Sequence, residues 1–329
     1  MSNSVLSPRS PKYSVIIPTH DRAETLAGSL RSLDQISRRP DTEILVVDNA
    51  SRDATAAVVD GCAVANVRYH RYDTLCSMYE NHRRGVRHSR GDYVVFLHSD
   101  DSLPDDFLDR IDATLRRRDD QRVDIVADLN AYWNNPEVLS SVAHGDEFVR
   151  RANWAAALLI YNGCSPSGTV YRRGAFEDYG SFHPDCIVAD TLLMIRWTTS
   201  GATIVDCAQR TPVWRVGEVS LSNQSSYQRG IHRSFEIRFK TAAEAVGLDG
   251  LRDGVMRLWP RVSMDRQLEF LYRCHVVGWR RLARQLWQSS EHRYQYLKTR
   301  KFYDQVLGSR YGPDVYHRFR PWLSRLVKV

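Results

Sequence analysis

The sequence predicts an α/β fold: a mostly parallel central sheet flanked by helices, with a helical C-terminal extension. Three observations carry this. Short apolar runs rich in Val and Ile recur early in the chain. Helical patterns alternate with them, which is the signature of βαβ units. One of these runs, Tyr93 to Leu97, is apolar along its whole length, so it reads as buried on both faces and central in a parallel sheet.

The elements follow in order. Residues 1–12 are Ser, Pro, Asn and charge with few apolar groups, and read as a disordered N-terminus. Tyr13 to Pro18 is the first strand. Asp21 to Arg38 is a helix, with Leu26, Leu30 and Leu33 spaced four and three apart on one face. Glu43 to Val47 is the second strand and runs into Asp48-Asn49. A helix starts over Asp53 to Val59, and Val67 to His70 is a third strand. Ser77 to Ser89 is helical, and Tyr93 to Leu97 is the fourth strand. Strands are also expected at Val123 to Leu129, Ser167 to Arg172 and Thr203 to Asp206, with a helix at Asp190 to Ser200. The stretch from Tyr132 to Asn162, rich in Trp, Asn and Gly, reads as irregular. From Ser234 onward the pattern is helical and Arg-rich, so a soft boundary falls near residue 230. The expected units are 13–229, with a nucleotide half at about 13–130 and an acceptor half at about 131–229, followed by 230–329.

Composition narrows the function. The chain has 329 residues, 43% of them apolar, enough for a sizeable core. No run of eighteen apolar residues and no apolar N-terminal region exist, so neither a membrane span nor a secretory signal is expected. The six cysteines are scattered without a CxxC pair, which speaks against zinc and a disulfide framework. These features point to a cytoplasmic protein. Charge is uneven: residues 230–329 carry 20 Lys and Arg against 9 Asp and Glu, whereas residues 1–229 carry 26 against 30. The basic excess thus belongs to the C-terminal region, where it fits peripheral contact with an anionic membrane surface, or a homodimer contact. Without an accompanying motif, no nucleic-acid partner is expected.

The most telling motif is at the end of the fourth strand: His98-Ser99-Asp100-Asp101, followed by Ser102-Leu103-Pro104. Ligands of open α/β sheets bind beyond the carboxyl ends of strands. Adjacent carboxylates repel there unless a cation joins them, and a hard cation completes its shell with substrate phosphates. The alternative is that Asp100 and Asp101 cap a helix entered at Ser102. Pro18-Thr19-His20-Asp21-Arg22 and Asp48-Asn49 end the first two strands at the same edge, and Glu80-Asn81 sits on the helix after the third strand. The phosphate loops G-x-x-x-x-G-K-[ST] and G-x-G-x-x-G are missing, which weakens the kinase, ATPase and dehydrogenase readings.

Three segments together resemble family 2 glycosyltransferases of the GT-A fold: Ser14 to Arg22, Ile44 to Asp53, and Gly91 to Asp101. The resemblance covers roughly residues 13–225. It implies an inverting transfer of a sugar from a nucleotide-diphosphate sugar donor to an acceptor hydroxyl, in polysaccharide, glycolipid or natural-product biosynthesis. It also implies that Pro18, Thr19, Arg22, Asp48 and Asn81 hold the nucleoside, with Asp48 at the base. Asp100 and Asp101 then stand for the D-x-D element, which takes ribose and Mn²⁺ or Mg²⁺. The segment Val188 to Met194 resembles the one bearing the catalytic base, which makes Asp190 the candidate; the alternative for a residue heading a helix is an N-cap. Two positions depart from the family pattern. His98 replaces the first Asp of the D-x-D-D run, and Gly217 stands in Val213 to Ser220 where a metal- or diphosphate-contacting His is expected; Arg215 could replace part of that charge. A nucleotidyltransferase, or a degenerate GT-A binding protein, are the alternatives.

Trp133, Trp154 and Trp214 are candidates for a sugar-facing surface or for core packing. Phe270, Leu271, Cys274, Val277, Leu282, Leu286 and Trp287 fit a packed helical face. A second stripe at Val315, Phe319, Trp322, Leu323 and Leu326 is flanked by Arg and Lys.

Overall fold

The structure is a computed structural model and describes residues 10–118, 121–207 and 225–289. Its centre is a seven-stranded sheet: β1 (Tyr13–Thr19), β2 (Thr42–Asn49), β3 (Val67–Tyr72), β4 (Tyr93–Phe96), β5 (Ile125–Ala127), β6 (Val170–Arg172) and β7 (Ile204–Asp206). The order is β3-β2-β1-β4-β6-β5-β7. β6 runs antiparallel to β4 and β5, and the other pairs are parallel. The mostly parallel sheet expected from the apolar runs is present.

Side chains alternate across the sheet and feed two cores. Tyr13, Val15 and Ile17 of β1 join one core with Val95 and Leu97. Under it lie helices α1 (Ala23–Arg31), α2 (Asp34–Ser37), α3 (Thr55–Asp60) and, from later in the chain, Phe107, Leu108 and Ile111. Ile16, Leu45, Val47, Val94 and Phe96 face the other core, which is covered by α4 (Met78–His88) and by helices from the second half of the chain. The expected single helix over Asp21 to Arg38 is two helices, because the chain turns at Ser32-Leu33 to place both Leu33 and Ile36 in the core. The helix after β4, α5 (Phe107–Arg116), starts at Phe107 and not at Ser102.

The stretch expected to be irregular is helical: α6 (Leu129–Trp133), α7 (Pro136–Val142) and α8 (Glu147–Tyr161). Asp146 caps α8, its side chain accepting from Val149 N–H at 2.9 Å. Seven consecutive residues, Ala155 to Tyr161, are buried. That half of the helix is buried on every side and has no polar face, so it shows no stripe in the sequence. The chain continues through α9 (Ala175–Asp178), α10 (Ala189–Thr199), α11 (Ser225–Leu258), α12 (Met264–Val276) and α13 (Arg280–Ser289). α11 breaks at Gly247, whose φ of 72° lies in the left-handed region. Phe270, Leu271, Cys274, Leu282 and Leu286 are buried in the same core as α8 and α10. The Trp287 side chain and the second aromatic stripe, residues 315–326, lie outside the described residues.

α11 crosses α8 closely at Gly254, where an added Cβ would stand 2.5 Å from the Ala152 carbonyl oxygen. Backbone cannot yield as a flexible side chain can. Gly254→Ala should therefore destabilise the chain by about 1–3 kcal/mol, overriding the gain of about 1 kcal/mol that alanine brings to a helix interior. Thermal melting checks this; a rise in Tm would mean that α11 does not sit against α8.

Candidate active site

The carboxyl ends of β1, β2 and β4 meet at one edge. Thr19 and Asp48 are register partners across β1 and β2. Pro18 lies beyond the part of β1 that pairs with β4, which ends at Ile16 opposite Phe96, so its missing N–H breaks no ladder bond on that side. Thr19 is 3% exposed, and its Oγ1 has no hydrogen-bond partner. Asp48 is fully buried: Oδ1 accepts from Ser51 N–H at 2.9 Å, Oδ2 from the Tyr69 hydroxyl at 2.5 Å, and Arg71 Nε stands 3.9 Å away. Burial and this contact push the Tyr69 phenol well up.

The loops after β1 and β2 are laced together. Ser51 Oγ accepts from Asp21 N–H at 2.9 Å, Asp21 Oδ1 from Arg52 N–H at 2.7 Å, and Asp53 Oδ2 from Ala23 N–H at 2.9 Å. Asp21 and Ala50 take φ of 48° and 63° to make these turns. Such left-handed backbone costs about 1–3 kcal/mol per residue and persists where the surroundings over-determine it. Arg22 directly precedes α1, and its carbonyl accepts the helix's first amide bonds.

At the end of β4 the acidic turn is held from three sides. Asp101 N–H donates to the His98 carbonyl at 3.0 Å, His98 N–H to Ser167 Oγ at 3.2 Å, and Leu103 N–H to Ser32 Oγ at 3.3 Å. The next helix begins at Phe107 after Asp106, so neither Asp100 nor Asp101 caps it. Asp101 is buried and Asp100 half-buried. Ligand atoms of His98, Asp100 and Asp101 lie within 4.8 Å of one another, the one such group of three among the described residues. Two hard oxygen donors and one imidazole are a donor set that could hold a divalent cation.

Asp190 is in the first turn of α10, yet the residue in the capping position is Val188. Its Oδ1 accepts from the Tyr79 hydroxyl at 3.0 Å. Burial raises its carboxyl pKa, against the pull of the Thr191 amide, the Tyr79 hydroxyl and the Arg238 guanidinium. Arg238, itself buried in α11, donates to Asn162 Oδ1 at 2.7 Å.

One turn of α4 links these groups. Tyr79 reaches Asp190. Asn81 donates through Nδ2 to the Val47 carbonyl at 2.9 Å, while its buried Oδ1 has no partner. His82, buried completely, reaches His98 at 3.3 Å between the ring nitrogens Nε2. Burial draws the His82 imidazole down to about 3, with His98 adding to the fall and the Met78 carbonyl opposing it. Thus Thr19, Asp48, Asn81, Asp100 and Asp101 gather along one edge, and Asp190 joins them through Tyr79. Tyr79, His82 and Arg238 were not foreseen; a lone helical Tyr or His carries no signal without the fold. Trp133 is 3% exposed, stacks on Tyr161 at 5.5 Å and donates through Nε1 to the Asn162 carbonyl, so it is core. Trp214, Arg215 and Gly217 lie outside the described residues.

Residues 14–180 match the model of the family described as glycosyl transferase family 2. The chain belongs to this family. Its curated relatives include a PGL/p-HBAD biosynthesis glycosyltransferase of Mycobacterium bovis and one of the same name from Mycobacterium tuberculosis. Each is 29% identical over 185 residues, covering 53% of this chain. The match spans 64% of those relatives' length. Among solved structures, the mannosyltransferase PcManGT from Pyrobaculum calidifontis, in complex with GDP-Man and Mn2+, superposes with a TM-score of 0.57. The two are 17% identical, with 98% of this chain and 87% of that one covered. S. aureus TarS 1-349 in complex with UDP-GlcNAc gives 0.53 at 15% identity, with 87% and 83% covered. These two likenesses show the shared fold. Among the described residues, no helix is long and apolar enough to cross a membrane.

Proposed function

We propose that this family member transfers a sugar from a nucleotide-diphosphate sugar to an acceptor hydroxyl with inversion. The observation that carries the reading is the single α4 turn that ties Asp190, the β2 edge and the His98–Asp101 turn into one site. Thr19 Oγ1 and Asn81 Oδ1 are buried polar atoms without partners, which a nucleoside's hydroxyl and amide groups would satisfy. Arg22 and Asp48 complete the nucleoside side, Asp48 also holding its own loop through Ser51 and Tyr69. Asp100 and Asp101 hold a divalent cation, Mn²⁺ or Mg²⁺, which when bound neutralises charge on the departing diphosphate. Asp190 accepts the acceptor's hydroxyl proton, and its raised pKa suits a general base.

Residues 13–229 form the catalytic domain in this reading, and the described helices from 230 on pack against it in one shared core. The acceptor belongs to polysaccharide, glycolipid or natural-product biosynthesis; the mycobacterial relatives' names support that range. A peripheral membrane or homodimer contact, on the cytoplasmic side, falls to the basic C-terminal region.

A thermal-shift panel of nucleoside diphosphates and nucleotide sugars, with and without Mn²⁺, tests this. A ligand at a hundred times its Kd stabilises by about 2.7 kcal/mol. One nucleotide class should raise Tm more in Mn²⁺ than in EDTA. A flat response to every nucleotide in Mn²⁺ would overturn the proposal.

A further inference from the structure

His98 stands where the family pattern has an aspartate, and it touches a second histidine that no resemblance assigns. The His82 Nδ1 lies 2.8 Å from the Met78 carbonyl oxygen one turn earlier on α4. A carbonyl only accepts, so His82 Nδ1 carries a hydrogen. Its ring is fully buried, at centroid distances of 4.8 Å from Phe96 and 5.6 Å from Phe182. An imidazole in such apolar surroundings is neutral, so its Nε2 is bare. That nitrogen lies 3.3 Å from His98 Nε2. A bare nitrogen can only accept, so His98 Nε2 carries the hydrogen of this pair. That leaves Nδ1, 3.8 Å from Asp101 Oδ2, as the His98 nitrogen on the side of the two carboxylates.

We propose that His82 is a positioning residue that fixes the tautomer of His98, so that His98 Nδ1 serves as a nitrogen ligand beside Asp100 and Asp101 and tilts the cation site toward Mn²⁺ over Mg²⁺. This deepens the proposed function and rests on its reading of Asp100 and Asp101 as cation ligands. The physical basis is that a metal-bound histidine takes its tautomer from the partner of its other nitrogen. Imidazole suits transition metals, whereas Mg²⁺ prefers oxygen. The His98 main chain is already clamped, its N–H by Ser167 and its carbonyl by Asp101 N–H. Of the side chain's two polar contacts, Asp101 at Nδ1 and His82 at Nε2, the His82 contact sets the tautomer. Without it, the ring would be free to place a hydrogen on Nδ1 and oppose the cation.

Two measurements on the full chain decide this. Imidazole ¹⁵N NMR of the metal-free protein should show His98 protonated at Nε2 and His82 at Nδ1. His98 protonated at Nδ1 alone, or averaging evenly between the two tautomers, overturns the proposal without any variant. Calorimetry with Mn²⁺ and Mg²⁺ should show His82→Phe weakening Mn²⁺ by about 10- to 100-fold and Mg²⁺ by less. His82→Gln, whose amide oxygen can accept from His98, should regain most of the Mn²⁺ affinity. Unchanged Mn²⁺ affinity in folded His82→Phe, with Asp100→Asn abolishing it, overturns the His82 role alone. Unchanged affinity in Asp100→Asn overturns the cation reading and this proposal with it.

Discussion

Asp190→Asn is expected to lower kcat by about 10²–10⁴-fold, the usual contribution of a positioned general base, while donor affinity stays near that of the unmodified chain. The amide keeps the shape and can still accept from the Tyr79 hydroxyl, which stands 3.0 Å from Asp190 Oδ1. What it loses is the capacity to take a proton. Burial raises the Asp190 pKa, so the base becomes ionised at a higher pH than an ordinary aspartate near 3.9. The acid limb of kcat/KM should therefore lie above pH 4 and vanish from the residual activity of the variant. The same shift has a stability sign. A carboxyl whose folded pKa is raised favours the fold while protonated, and that advantage is lost as pH rises through the folded value. Above that value the ionised Asp190 thus costs stability. The Asn variant should melt no lower than the unmodified chain there, and any advantage should shrink as pH falls toward 4. Steady-state kinetics and melting across pH 4–8 check both halves. Near-normal turnover would place the base elsewhere.

The strand ends were legible in the sequence, and the contacts between them were not. β1, β2 and β4 show as apolar runs because each is buried on both faces of a parallel sheet. Asp48, Asp100 and Thr19 could be placed at one edge because parallel strands send their carboxyl ends the same way. α8 reads as irregular in the sequence because its C-terminal half, Ala155 to Tyr161, is buried all round and has no stripe, and its Trp and Asn residues mimic a loop composition. Helix capping by Asp100 and Asp101 is compatible with the sequence, and the start of α5 at Phe107 excludes it. Tyr79 and Asp190 meet across 111 positions of chain, and His82 and His98 across 16. No periodicity encodes such pairs, since they depend on which face of α4 the sheet presents to α10 and to the β4 turn. Arg238 is in the same position: the sequence around it reads only as helical and Arg-rich, and nothing there marks it as buried beside Asn162.

Asp100→Asn should weaken nucleotide binding about tenfold or more in Mn²⁺, the equivalent of at least ~1.4 kcal/mol, and change it little in EDTA. The expectation rests on the acidic turn. Asp100 and Asp101 are adjacent, Asp101 is buried, and the turn is fastened by Ser32 and Ser167. Neither carboxylate serves a helix end. Two carboxylates held together repel each other, and a divalent charge shared between them offsets that repulsion. Removing one of them has opposite consequences in the two conditions. Without metal the repulsion is relieved, and the variant should melt at or slightly above the unmodified chain. With Mn²⁺ the cation loses a ligand, and the diphosphate loses the charge that offsets its own. A role confined to hydrogen bonding the ribose would weaken binding equally in Mn²⁺ and in EDTA. Titration of a nucleoside diphosphate into both proteins, under both conditions, separates the two, and equal losses would remove the metal from the site.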